Sequence, residues 1–169
     1  MPKAVRVGVL VNPINALTTE AALPDVRDAG HALGLQIQVV NASTIGEINA
    51  AFAVLVRERA DALLVNGDAF FSSRRAQLVT LAARDRIPAA YVQREFPVAG
   101  GLMSYGTNLT DAYRQVGVYT GNILKGAKPA ELPVQQAVKI ELDINRGTAT
   151  LLGIEVPPQL LAIADEIIE

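Results

Sequence analysis

The sequence predicts an α/β fold: a mainly parallel, doubly wound, flavodoxin-like sheet with helices on both faces. Three observations lead there. Short β-branched runs alternate with amphipathic stretches of helical period through the first half of the chain. The first strand run, 5–11, is a continuous β-branched run, the pattern of a parallel strand buried on both faces. Each run ends in residues such as Asn, Gly or Asp, which turn a strand into a loop. Half of the 169 residues are apolar and 19% are charged, enough for one domain with a packed interior.

Residues 5–11 form the first strand run and break at Asn12-Pro13. Residues 18–33 follow with Ala22, Leu23, Val26, Ala29 and Leu33 on one helical stripe and Gly34 as the stop. Pro24 interrupts that stripe. Proline suits the first turn of a helix, so the regular helix is expected to begin just before it. A second strand, 36–40, leads into Asn41-Ala42-Ser43-Thr44. There Ser43 or Thr44 caps a helix running to about Arg59, with Glu47 three residues beyond Thr44 as a capping box requires. A third strand at 61–66, a third helix at 70–84 and a fourth strand at 88–92 repeat the unit.

After Arg94-Glu95-Phe96 the spacing changes. Gly100-Gly101 introduces a short strand at 102–105, and a helix spans 109–124 before Lys125-Gly126-Ala127-Lys128-Pro129 ends it. Residues 138–144 alternate apolar and polar, which predicts one wet face and a place at the sheet edge. A short helix or turn at 148–152 and, after Pro157-Pro158, a terminal helix to Ile168 complete the expected order.

Several function classes are excluded by composition. Net charge is −2, with basic residues scattered among acidic ones, so no face is expected to neutralise a nucleic-acid backbone. Cysteine is absent and His31 is the only histidine, set mid-helix among Ala, Leu and Gly, so neither a metal centre nor a histidine-based triad is expected. No glycine-rich phosphate loop occurs and no cofactor is expected. No apolar run nears the roughly 20 residues that span a bilayer, so a soluble chain is expected. Met1-Pro2-Lys3 leads straight into a strand pattern without a secretory leader, which implies a cytoplasmic chain or one whose leader has been removed.

In an open parallel sheet, ligands sit beyond the carboxyl ends of the strands. That rule selects Asn12, Asn15, Ser43, Asp68, Phe70 and Tyr105 as lining residues. They offer amides, a hydroxyl, a carboxylate and aromatic rings, which suit hydrogen bonding and stacking with a small polar molecule. No nucleophile is paired with a base, so no catalytic residue is assigned and the chain is not expected to be an enzyme. Each residue also has a structural alternative. The asparagines can satisfy turn backbone, and Asp68 can cap a helix or face a ligand ammonium. Phe70 and Phe71 are adjacent, so one belongs in the core and the other at the rim.

Val9-Leu10-Val11-Asn12-Pro13, Arg59-Ala60-Asp61-Ala62-Leu63-Leu64-Val65, Asp68-Ala69-Phe70-Phe71-Ser72-Ser73-Arg74-Arg75 and Arg94-Glu95-Phe96 stand in this order along the chain. Ala99-Gly100-Gly101-Leu102-Met103-Ser104-Tyr105-Gly106, then 121–129 and the Pro-Pro tail follow. Together they resemble the ABC-transporter solute-binding proteins that include the tryptophan- and tyrosine-binding types. The resemblance implies one lobe of a type I periplasmic-binding fold, an exported periplasmic protein, a small-molecule ligand such as an aromatic or branched amino acid, and a membrane permease as partner. It covers only the later half of such a protein. Residues 1–97 are expected to form the lobe core, 98–128 to cross to the other lobe, and 129–169 to return as an edge strand and C-terminal helix.

Without that other lobe, the strand at 102–105 and the helix at 109–124 are expected to fold onto the chain's own sheet, in the order 2-1-3-4-5, or to exchange with a second copy in a swapped homodimer. Asn145-Arg146-Gly147-Thr148 lacks the lysine expected in relatives. The alternatives are a small flavodoxin-like regulatory or enzymatic domain using Asp68 or Glu95, and a dimerising fragment without ligand.

Overall fold

The computed structural model describes residues 4–134 and 139–169. Its elements are β1 (Arg6–Val11), α1 (Ala16–Ala32), β2 (Gln36–Asn41), α2 (Ile45–Arg57), β3 (Ala62–Val65), α3 (Ala69–Ser73), α4 (Arg75–Arg84), β4 (Ala89–Tyr91), α5 (Glu95–Val98), β5 (Met103–Thr107), α6 (Leu109–Leu124), β6 (Ile140–Asn145), α7 (Arg146–Leu152), α8 (Pro158–Ala162) and β7 (Glu166–Ile168). Seven strands form one sheet in the order β2-β1-β3-β4-β5-β6-β7. All neighbours run parallel except β5 and β6. The expected order 2-1-3-4-5 is present, with two further strands outside it.

Helices pack on both faces of the sheet. A Cβ on Gly8 of β1 would collide with the Leu55 side chain of α2, whereas one on Gly30 of α1 would collide with Ile37 of β2. Gly8 and Ile37 belong to opposite pleats, because Val7 is the register partner of Ile37. On the α2 side, Leu10, Val40, Leu63, Val65, Ala89 and Tyr91 meet Ile48, Phe52, Leu55, Leu78 and Phe96 in one core. Burial of each large apolar side chain stabilises it by about 1.5–3 kcal/mol. Tyr91 stacks on Phe96 with ring centroids 4.3 Å apart.

Five expectations are corrected. Pro24 lies nine residues into α1, well beyond the first turn, so the helix begins at Ala16. Pro24 and Glu20 are exposed, and water can satisfy the Glu20 carbonyl that loses its partner. The predicted helix at 70–84 divides at Arg74, where the backbone leaves helical geometry between α3 and α4. The strand predicted at 138–144 is not the edge. β7 pairs along its outer side, and Asp143 and Asn145 are buried; its predicted start at Val138 lies outside the described residues. The terminal helix to Ile168 is instead the short α8 followed by β7.

The fifth correction concerns α6. It has no buried residue, so it does not cover the chain's own sheet. Only Asn108 separates β5 from α6.

Candidate functional site

The carboxyl ends of β1, β2 and β3 are knitted together by side chains. Asn12 Nδ2 donates to Asp68 Oδ1 at 3.0 Å, and Asn15 Nδ2 donates to Asp68 Oδ2 at 2.9 Å. Ser43 Oγ donates to Asn12 Oδ1 at 2.8 Å, and the Ile14 N–H donates to the same oxygen at 3.2 Å. Below them, Thr19 Oγ1 donates to the Asn12 carbonyl at 2.8 Å and is itself buried. Parallel register brings these loops together: Val11 pairs with Asn41 and Leu10 with Val65, so Asn12, Ala42 and Asn66 leave the sheet at one level.

Asp68 also caps α3, its Oδ1 accepting from the Phe70 N–H at 2.9 Å. Burial works against its charge. The hydrogen bonds from Asn12, Asn15 and the N–H groups of Phe70 and Phe71 outweigh that penalty and hold the carboxyl below its ordinary range. Phe71 enters the core at 1% exposure, while Phe70 is half-buried against the core, its ring 5.7 Å from Phe71.

The structure thus gathers Asn12, Asn15, Ser43, Asp68 and Phe70. It does not bring Tyr105 to them. Tyr105 lies in the middle of β5, two strands from β3, and is 62% exposed on the pleat opposite Ser104. Asn41 is exposed and Asn66 half-buried, and neither side chain joins the network.

The same end of the sheet carries a second polar group that sequence reasoning missed. Ser72 Oγ lies 2.9 Å from the Asp68 carbonyl oxygen and 2.5 Å from Gln93 Oε1. Gln93 then borders a cavity of about 40 Å³ shared with Arg94, Glu95, Ser104, Glu141 and Asp143. Ser104 Oγ donates to Asp143 Oδ2 at 2.9 Å, both side chains being buried. Arg94 grips Glu166 of β7 through Nε at 2.5 Å and Nη2 at 2.7 Å. Asp143 was concealed by the strand alternation that assigned it to water.

Gly106 closes the wall of this cavity. A Cβ there would overlap the Val92 carbonyl oxygen, so only glycine lets β5 approach β4 so closely. Asn145 caps α7 by accepting from the Thr148 N–H at 2.7 Å, so the segment lacking the expected lysine forms an ordinary helix start.

The sequence pattern of a family described as ABC transporter substrate binding protein matches residues 1–168. The chain belongs to that family. The members of that family are substrate-binding proteins. No curated protein matches the chain.

Three solved structures of similar shape are longer than this chain. A conserved domain protein from Vibrio cholerae is 25% identical with a TM-score of 0.84, over 99% of this chain and 56% of that one. The ABC domain from Streptococcus pneumonia in complex with L-Trp is 24% identical with a TM-score of 0.88, over 99% and 56%. A ligand-free, open substrate-binding protein with adhesive properties from Clostridium difficile is 21% identical with a TM-score of 0.71, over 99% and 55%. The chain therefore spans little more than half the length of these structures, and it has the α/β fold of one substrate-binding lobe.

Proposed function

We propose that the crevice at the carboxyl ends of β1 to β4 recognises a small molecule of amino-acid type for an ABC importer. Asn12, Asn15, Ser43 and Asp68 form its polar wall, Phe70 its aromatic rim, and Tyr105 an outlying aromatic face in the middle of β5. The observation that carries this reading is the interlocked Asn12–Asp68–Asn15 arrangement. Asp68 spends its oxygens on orienting two amides and capping α3, so each amide nitrogen keeps a second hydrogen and Asn15 keeps its side-chain Oδ1 for a ligand. Such a fixed set of donors and acceptors binds and does not transform. Family membership and the L-Trp complex of a structural neighbour support the ligand class.

Family membership also supports export to the periplasm and a permease as partner. No helix among the described residues is long and apolar enough to cross a membrane. In this reading residues 1–97 are the lobe core, 98–128 cross to a second lobe, and 129–169 return. The bare apolar face of α6 supports that division.

Calorimetric titration with aromatic and branched amino acids tests the reading. Measurable heat is expected for at least one of them, with affinity about tenfold weaker in Asp68→Ala, the equivalent of about 1.4 kcal/mol for a disordered hydrogen-bond array. No heat from any of them with correctly folded protein overturns it.

A further inference from the structure

The cavity bordered by Gln93, Arg94, Ser104 and Asp143 is small, electrostatically one-sided and chemically incomplete. Its volume of about 40 Å³ is a few times the roughly 10–15 Å³ that one water needs on the same measure, room for a small charged head. Around it stand Glu95, Glu141, Asp143 and Glu166, against Arg94 and Lys139.

Two of those carboxylates are fully committed. Glu166 gives both oxygens to Arg94. Glu141 gives one to Lys139 Nζ at 2.7 Å and the other to Asn108 Nδ2 at 2.6 Å. Asp143 differs. It is 2% exposed, its Oδ2 takes the Ser104 hydroxyl, and among the described residues no donor reaches its Oδ1. A buried carboxylate with one neutral partner is costly unless a positive group joins it. Burial, followed by the neighbouring Glu141 and Glu166 charges, pushes its pKa up, with the Ser104 hydrogen bond and the Arg94 charge opposing. The Arg94 guanidinium does not fill the gap, since it is turned toward Glu166.

We propose that this cavity is a second recognition point of the crevice, where the free oxygen of Asp143 receives a primary ammonium group of the ligand. The inference rests on the crevice reading above for its place, and it assigns the positive end of the ligand to Asp143 and not to Asp68. The two points are joined by Ser72 and Gln93 along one sheet end, so a ligand with its ammonium at Asp143 can extend toward the amides of Asn12 and Asn15. Ser104 acts as a positioning residue, holding the carboxylate plane.

The test is an NMR titration of the isotopically labelled 169-residue chain with three probes: L-phenylalanine, phenethylamine and 3-phenylpropionate. The amine and the amino acid are expected to shift the amides of Ser104, Gly106 and Asp143, and the acid is not. Asp143→Asn, which keeps the side-chain shape, is expected to weaken phenethylamine at least tenfold. Equal response to the acid, or unchanged amine affinity in Asp143→Asn, overturns the inference. The comparison of amine with acid uses the unmodified chain, so it decides even where the variant does not fold. Shifts confined to Asn12, Asn15 and Asp68 overturn the Asp143 assignment while the crevice reading stands. Shifts confined to the Asp143 cavity do the reverse, and no shift with any probe overturns both.

Discussion

At Asp68, one side chain orders two amides and a helix terminus, and its protonation should be felt in stability. Its folded pKa lies below the ordinary value, which is about 3.9 in an unfolded chain. The contribution is therefore complete above that pH and is lost as pH falls through the folded value. Asp61 behaves alike, since its Oδ2 accepts from the Val5 and Arg6 N–H groups at 2.8 Å each. Urea midpoints measured from pH 6 to pH 3 should place Asp68→Asn below the parent by about 2 kcal/mol at neutral pH, and that gap should narrow on acidification. A gap that stays constant would mean that the charge is not what the amides read. Arg59 makes a different prediction. It lies just past the end of α2 in the left-handed region at φ 55°, which costs a non-glycine residue roughly 1–2 kcal/mol. Arg59→Gly should raise the unfolding free energy by about 1 kcal/mol, read as a higher urea midpoint. The site itself was only partly visible beforehand. Asn12, Asn15, Ser43, Asp68 and Phe70 follow strand ends, where the parallel-sheet rule looks, whereas Asp143 sits inside a strand whose alternation gives no hint of the neighbour that covers it.

Among the elements, α1 departs furthest from local preference. Pro24 removes one N–H and pushes against the carbonyl four residues earlier, a cost of about 3 kcal/mol in a helix interior. Pro24→Ala should therefore stabilise the chain by up to about 3 kcal/mol, read from chemical denaturation. A loss would show that the proline stiffens the unfolded chain more than it strains the helix. The stripe at Ala22, Val26 and Ala29 marked this helix correctly, but its start was misjudged because a solvent-facing proline is cheaper than an average one. The division at Arg74 was likewise invisible, since both halves carry good helical residues. β6 and β7 were obscured for a longer-range reason. Whether Glu141, Asp143 and Asn145 face water depends on Glu166–Ile168, residues more than twenty positions away whose short apolar run reads equally well as a helix end. By contrast β1 to β4, rich in Val, Ile, Leu and Ala, were recognisable within a residue or two of their ends.

For the whole molecule, the unresolved balance lies in α6. Tyr113, Val116, Ile123 and Leu124 are 73%, 60%, 41% and 83% exposed along one stripe of a helix that touches no core. Apolar faces of this extent associate. Light scattering on the 169-residue chain should give a mass above 17.9 kDa, and Val116→Ser with Leu124→Ser should return it to that value. A strictly monomeric parent would eliminate exchange between copies. The sheet also contains a single reversal, at β5 and β6. Because of it, the chain departs and comes back at one end of the sheet, side by side, beside Ser104 and Asp143. Any body gripping α6 is then tethered to the sheet at one place, where Thr107 and Ile140 stand paired.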